Sequence, residues 1–298
     1  MPAKLAGMSR LPLVALVLFA VAALHAQPDL ARPQALDPQQ AQAFVTQAFH
    51  AELRAAQDAS HPMRYLLRKS SPRLSTTKQI YETRDGAVAR LIAINGQPLD
   101  PAAEQKEKAR LDALLADPGR QRHRKQGEVQ DTARALKVLR ALPNAFLYEY
   151  IGSANGYAGP LQRFTFRPNP AYDPPDLETQ VLTAMTGEIW IDAVHHRVVR
   201  LQGSLRQDVN FGWGILGRLD RGGWIILEQA DVGQGCWRIV RMQMNMSGRL
   251  FFKSRNFDTT QEESEFEPLP VDLTYAQAIQ RMRGQTKTTP SAWTRPLQ

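Results

Sequence analysis

From Asn144 to about Pro268 the chain reads as one strand after another, with short segments between them. Apolar alternation marks strands over 145–151, 161–167, 186–192, 197–204, 224–231, 236–246 and 248–256. Only 176–185 (DLETQVLTAM) interrupts them, as a short helix. A parallel crossover needs about a dozen residues or more. These connectors are shorter, so the sheet is expected to be mostly antiparallel and the fold class α+β.

Period-two alternation assigns the faces. Phe146, Tyr148 and Tyr150 share one face of their strand, and Phe164 and Phe166 share one face of theirs. Val240, Met242, Met244 and Met246 line up together, with Trp237, Ile239, Arg241 and Gln243 opposite. Ile189 and Ile191 oppose Glu188, Trp190 and Asp192. A sheet with one greasy face needs a cover. Three helical segments can supply it. The first spans about 38–58, starts at Asp37-Pro38 and shows Val45, Phe49 and Leu53 on one face. The second spans 101–116, capped by Asp100 and ended by Asp117-Pro118-Gly119, and the third spans about 128–141 and stops at Pro143. Between the last two, RQRHRKQG (120–127) reads as a solvated basic connector or frayed helix end, with a membrane-surface patch as the sharper alternative. A hairpin is expected at Asp85-Gly86, and a last helix from Asp272 or Leu273 to about Arg283. Methionine is flexible and polarizable, so the methionine row beside aromatic strands suggests an adaptable apolar cavity, with ordinary core packing as the plainer reading.

The N-terminus suggests an address. Lys4 and Arg10 precede an apolar run of 14 residues, Leu11 to Leu24, and cleavage is plausible after Ala26 or Ala23. A bilayer span needs about 18 apolar residues, so a signal peptide over 1–26 is favoured over an anchor. Formal charge is +8 for the chain, and +6 once Lys4 and Arg10 are removed. A basic exported protein meets anionic headgroups more readily than nucleic acid. Residues 27–283 are expected to form one domain with a helical insertion at about 97–142, and 284–298 a loose tail. Cys236 is the only cysteine, so it can form no internal disulfide and reads as a small buried hydrophobe.

The segment Gly187-Glu188-Ile189-Trp190-Ile191-Asp192, a turn over Ala193–His196, and Arg197-Val198-Val199-Arg200-Leu201-Gln202-Gly203 resembles a hairpin of the periplasmic lipoprotein-carrier superfamily. That group includes the LolA carrier and the N-terminal domain of the RseB sensor. The resemblance implies a strongly curved sheet, a half-barrel, with helices over its concave face and acyl chains held beneath them. The local match covers about residues 186–204, and the large insertion departs from a simple carrier.

Catalytic motifs fare less well. Gly212-Trp213-Gly214-Ile215-Leu216-Gly217 fits G-x-G-x-x-G, but glycine breakers follow where a dinucleotide site needs a helix. It reads as a loop whose Phe211, Trp213, Ile215 and Leu216 either tuck into the sheet mouth or form a docking tip for a membrane or partner. Asp192, His195 and His196 read as a polar turn, since adjacent histidines point apart and lack metal-ligand spacing. Glu262, Glu263 and Glu265 read as a solvated strand edge. No nucleophile elbow is present. The expectation is a non-catalytic periplasmic carrier without cofactor or metal, holding a lipid or acylated protein. An envelope sensor on the same scaffold is the second reading and a hydrolase the third.

Overall fold

A computed structural model describes residues 36–156, 159–211, 217–233, 235–250 and 253–284. Helix α1 (Pro38–Gln57) begins where the sequence says: the Asp37 carboxylate accepts the Gln40 N–H at 2.8 Å, and the Gln40 side chain accepts the Asp37 N–H at 3.0 Å. This reciprocal cap satisfies two donors the helix cannot. Ala41, Val45, Ala48, Phe49 and Glu52 form its buried stripe. Helices α2 (Pro101–Ala116) and α3 (Pro118–Ala145) meet at Asp117. Its carboxylate accepts the Arg120 N–H at 3.0 Å, so the residue that ends α2 also caps α3, with Pro118 at the first helical position.

The basic segment is therefore neither a loop nor a frayed end. It forms the first turns of α3 and docks on the Asp85–Ala87 turn. Gln121 donates to the Asp85 carbonyl at 2.9 Å, Lys125 to the Arg84 carbonyl at 2.6 Å, and Glu128 accepts the Ala87 N–H at 3.0 Å. Nor does Pro143 stop the helix. It lies buried in the last turn, where only one ladder bond is lost, and its carbonyl accepts the Gln42 amide at 2.6 Å.

The strands are β1 (Met63–Ser70), β2 (Ser75–Tyr81), β3 (Val88–Ile94), β4 (Gln97–Pro98), β5 (Phe146–Asn155), β6 (Pro160–Pro168), β7 (Met185–Asp192) and β8 (Val198–Leu205). After them come β9 (Val209–Phe211), β10 (Gly217–Leu219), β11 (Trp224–Asp231), β12 (Trp237–Leu250) and β13 (Lys253–Pro268). A short helix, α4 (Leu177–Gln180), with a following 3-10 turn precedes β7, and α5 (Tyr275–Gly284) ends the described chain. All pairings are antiparallel, in the order β4-β3-β2-β1-β13-β12-β11-β8-β7-β6-β5, with β10 beside β12 and β9 beside β10. The two ends do not pair, so the sheet is an open half-barrel in which β1 joins the last strand, β13.

Register lays one line of side chains across the outer face: Arg163, Trp190, Arg200, Glu228, Arg241, Glu262 and Arg68. Arg163 and Arg200 stack on Trp190 at 5.0 and 5.7 Å, Arg200 pairs with Glu228, and Glu262 lies within 3.9 Å of both Arg241 and Arg68. The facing line is Phe164, Ile189, Leu201, Leu227 and Met242, fading into Gln261 and Lys69.

Helices α1 and α3 cover the apolar side. Helix α2 does not join them. With α5 it packs Leu111, Leu114, Ile279 and Met282 against Tyr81 and Val88. Tyr81 pairs with Arg64, which shares a face with Arg68, so this second core lies on the charged side. Side chains also close both sheet edges. Gln42 takes the Phe146 carbonyl and the Tyr148 N–H, while Glu107 and Arg110 take the Leu91 N–H and the Ala89 carbonyl. Blocked edges resist pairing with other chains.

Gly187 and Gly203 pair directly across β7 and β8. A Cβ on Gly187 would lie 1.9 Å from the Gln202 carbonyl oxygen and 2.8 Å from the Phe166 ring. The two glycines thus form the slot that receives Phe166. Gly187→Ala is expected to destabilise the fold by about 3 kcal/mol, because the first obstacle is backbone and cannot rotate away. Urea unfolding measures it; an unchanged midpoint refutes the slot.

Candidate functional site

Between α1, α3 and the sheet lies a cavity of about 710 Å³. Its floor comes from five neighbouring strands, β8, β11, β12, β13 and β1, a width of roughly 19 Å at about 4.8 Å per strand. Leu201, Ile225, Leu227, Trp237 and Ile239 supply the apolar floor. The roof is Ala55 and Ala56 of α1 with Thr132, Ala135, Leu136 and Leu139 of α3. The hollow has a local cause. Phe49 bounds it on the side where its ring meets Tyr148, while Ala55, Ala56, Thr132 and Ala135 are too short to reach across it. Thr132 and Ala135 remain exposed, so the cavity opens to solvent along α3.

Glu52 pins the roof to the floor. Its two oxygens accept from Arg197 Nε and Nη2, each at 2.9 Å, and Oε1 also accepts the Val198 N–H at 2.9 Å. A buried pair with every oxygen engaged is strongly oriented. Trp237 sits at the rim, with the His195 ring at 5.8 Å and the Arg197 guanidinium at 5.6 Å. At the other end, Glu82 pairs with Arg238 at 3.0 Å, and Tyr65 and Glu263 face the hollow. Burial, with Glu82 nearby, pushes the Glu263 carboxyl up to about 7, against the opposing effects of the Gln261 amide and Arg238. Burial likewise raises the Tyr65 phenol.

The residues expected to line a cavity fall beside this one. Phe146, Tyr148, Phe164 and Phe166 are buried in the core under α1, with Phe146 and Phe166 rings 4.6 Å apart and Tyr150 against Phe164 at 5.5 Å. Tyr148, Tyr150 and Phe166 also border a second depression of about 550 Å³ with Leu36, Pro38 and Gln42. Met244 and Met246 belong to the same core, and Met242 lies beside Leu227. Val240 is a bulge: Arg241 opposes Glu228 and Ile239 opposes Gln229, so Val240 has no partner on β11. The bulge carries Trp237 and Ile239 onto the methionine face, opposite to strict alternation. A bulge has no signature in this stretch. The Thr132, Ala135, Leu136, Leu139 stripe, by contrast, has helical spacing and was readable.

Other expectations divide. Asp192 is buried and accepts the N–H groups of Val194 and His195 at 3.0 and 2.7 Å and His195 Nδ1 at 2.9 Å, a turn built on its own side chain. The acidic cluster is not an edge, because β13 lies between β1 and β12. Glu262 joins the outer ladder, and Glu263 points into the cavity. Cys236 lies half-buried in the turn before β12 rather than in the strand. Phe211 packs partly buried against the main core, while Trp213, Ile215 and Leu216 lie outside the described residues, as do residues 1–35 with the expected signal peptide and 285–298 of the expected tail.

Glu263 carries a pH signature. Its folded value near 7 stands above the ordinary 4.5, so the folded state holds the proton more tightly and its contribution is lost as pH rises between those values. Glu263→Gln removes that loss. The variant is expected to match the wild type at pH 4.5 and exceed it by on the order of 1–2 kcal/mol at pH 8. Urea unfolding across this range measures the difference; a gap that does not grow with pH contradicts it.

No family model matches the chain, and no curated protein matches it in sequence. Among solved structures it is similar to an outer membrane lipoprotein-sorting protein domain from Vibrio parahaemolyticus, at 10% identity and a TM-score of 0.28, covering 78% of this chain and 93% of that one.

Proposed function

We propose that the protein is an exported, envelope-located binding protein that holds one apolar chain of a lipid or acylated protein in the cavity between α1, α3 and the sheet. The single observation that carries this reading is the cavity itself: about 710 Å³, floored by aliphatic and aromatic side chains and roofed by a mix of alanine, threonine and leucine. That volume suits a small-molecule ligand. Each methylene moved into such a place contributes about 0.8 kcal/mol, so about ten offset the entropic cost of capture. The hairpin 186–204, which resembles that of the lipoprotein carriers, and the apolar run Leu11–Leu24 support the same reading. Binding is favoured over hydrolysis because no Ser, Cys or His is among the described residues lining the cavity, and two of its three carboxylates are tied to arginines.

The test is uptake of a fluorescent fatty acid. Ala135→Trp places an indole in the cavity from an exposed helix position and is expected to weaken uptake by about tenfold or more. Val129→Trp, on the exposed side of α3, is expected to leave it unchanged. Failure of the wild type to take up the probe, or equal uptake by all three, defeats the reading.

A further inference from the structure

The cavity differs from one end to the other, and strand order sets the difference. Over β8 and β11 its wall is Leu201, Ile225 and Leu227; over β13 and β1 it is Glu263 and Tyr65. Three carboxylates border the space. Glu52 is tied to Arg197 at 2.9 Å and Glu82 to Arg238 at 3.0 Å, so both bordering arginines are already in ion pairs, with the Arg238 Nε–H left as a buried donor without a partner. Glu263 accepts only the Gln261 amide, at 3.1 Å, and has no ion pair among the described residues. Its neighbour Glu262 turns outward to Arg68 and Arg241, which leaves Glu263 on the cavity face.

Resting on the apolar-chain reading above, we propose that the cavity takes a single-chain amphiphile with a cationic head, whose ammonium or guanidinium group meets Glu263 while its chain lies over β11 and β8. A carboxylate or phosphate head would bring a further negative charge beside Glu263 and Glu82, where the one neighbouring cation, Arg238, is already paired with Glu82. A neutral head would leave Glu263 ionised and unpaired away from water, or force a proton onto it. A cation satisfies the carboxylate directly, with a charge-assisted bond. The groups facing Glu263 agree. Tyr65 of β1 offers a neutral hydroxyl, Glu82 beyond β2 adds negative charge, and Arg238 of β12 is held by Glu82. From α3, Glu128 also adds negative charge near Tyr65. Because the empty site holds a proton near neutrality, the cationic head competes with that proton and its advantage grows with pH.

Dodecylamine, dodecanol and dodecanoate share a chain and differ in head. Calorimetric titration of the full chain at pH 8 is expected to show dodecylamine binding about tenfold or more tightly than dodecanol, with dodecanoate weakest. The amine advantage should largely vanish at pH 5.5 and in Glu263→Gln. Equal affinities at pH 8, a preference for dodecanoate, or an amine advantage that survives both low pH and the substitution overturns the proposal. The wild-type pH comparison stands even if the variant does not fold. Binding of dodecanol without an amine advantage defeats the head-group assignment and spares the apolar-chain reading, whereas no binding of any of the three defeats both.

Discussion

Arg163, Trp190, Arg200, Glu228, Arg241, Glu262 and Arg68 stand in one line across seven neighbouring strands, and the molecule's organisation follows from which way that line faces. Half-exposed ion pairs contribute about 0–1 kcal/mol each, so the line is a weak source of stability. It is a strong source of register. A slip of one residue in any of these strands would carry an arginine or glutamate onto the face occupied by Phe164 and Ile189, both fully buried. With the charges held outward, the opposite line faces the helices. That line is apolar from β6 to β12 and polar beyond, at Gln261 and Lys69, so the trough has an oily end and a wet end before any helix is added.

The helices then divide between the faces. Helix α1 is pinned at one end by Gln42 on the β5 edge and at the other by Glu52 on Arg197. Helix α3 is held at its start by the Asp85–Ala87 turn and at its finish by Ala145 in the main core and by the Gln42 amide on the Pro143 carbonyl. Helix α2, the third helix available to cover the apolar face, is spent on the opposite side with α5. Two helices across five strands do not fill the trough, and part of the surface they turn to it is alanine and threonine. The hollow is the geometric remainder of this arrangement.

Much of this was legible in the sequence. Alternation assigned the faces of β5, β6 and β7 correctly, and Asp37, Asp100 and Asp-Gly at 85–86 marked real boundaries. What was not legible depended on contacts distant in sequence. The extra residue at Val240 swaps the faces of Trp237 and Ile239 relative to the methionines, and only pairing with β11 reveals it. Glu263 reads as a surface charge until β1 is placed beside β13, a pairing between strands nearly two hundred residues apart. Helix α3 extended across the basic segment because Gln121, Lys125 and Glu128 found carbonyl and amide partners on a remote turn. Local composition carries no trace of those partners.

Two features of the cavity work against stability. Empty apolar space forfeits packing energy, and a desolvated carboxylate without a cation raises the free energy of the folded state whenever it is ionised. Elsewhere the chain avoids both: the aromatic cluster under α1 is closely packed, and Glu52, Glu82 and Glu107 each have an arginine. Departures from local consistency concentrate at functional sites. Here both fall in one place, on adjoining parts of one wall, and a single molecule with a long chain and a positive end would remove both at once. The cost to the empty protein and the complementarity to such a guest are two descriptions of the same surface.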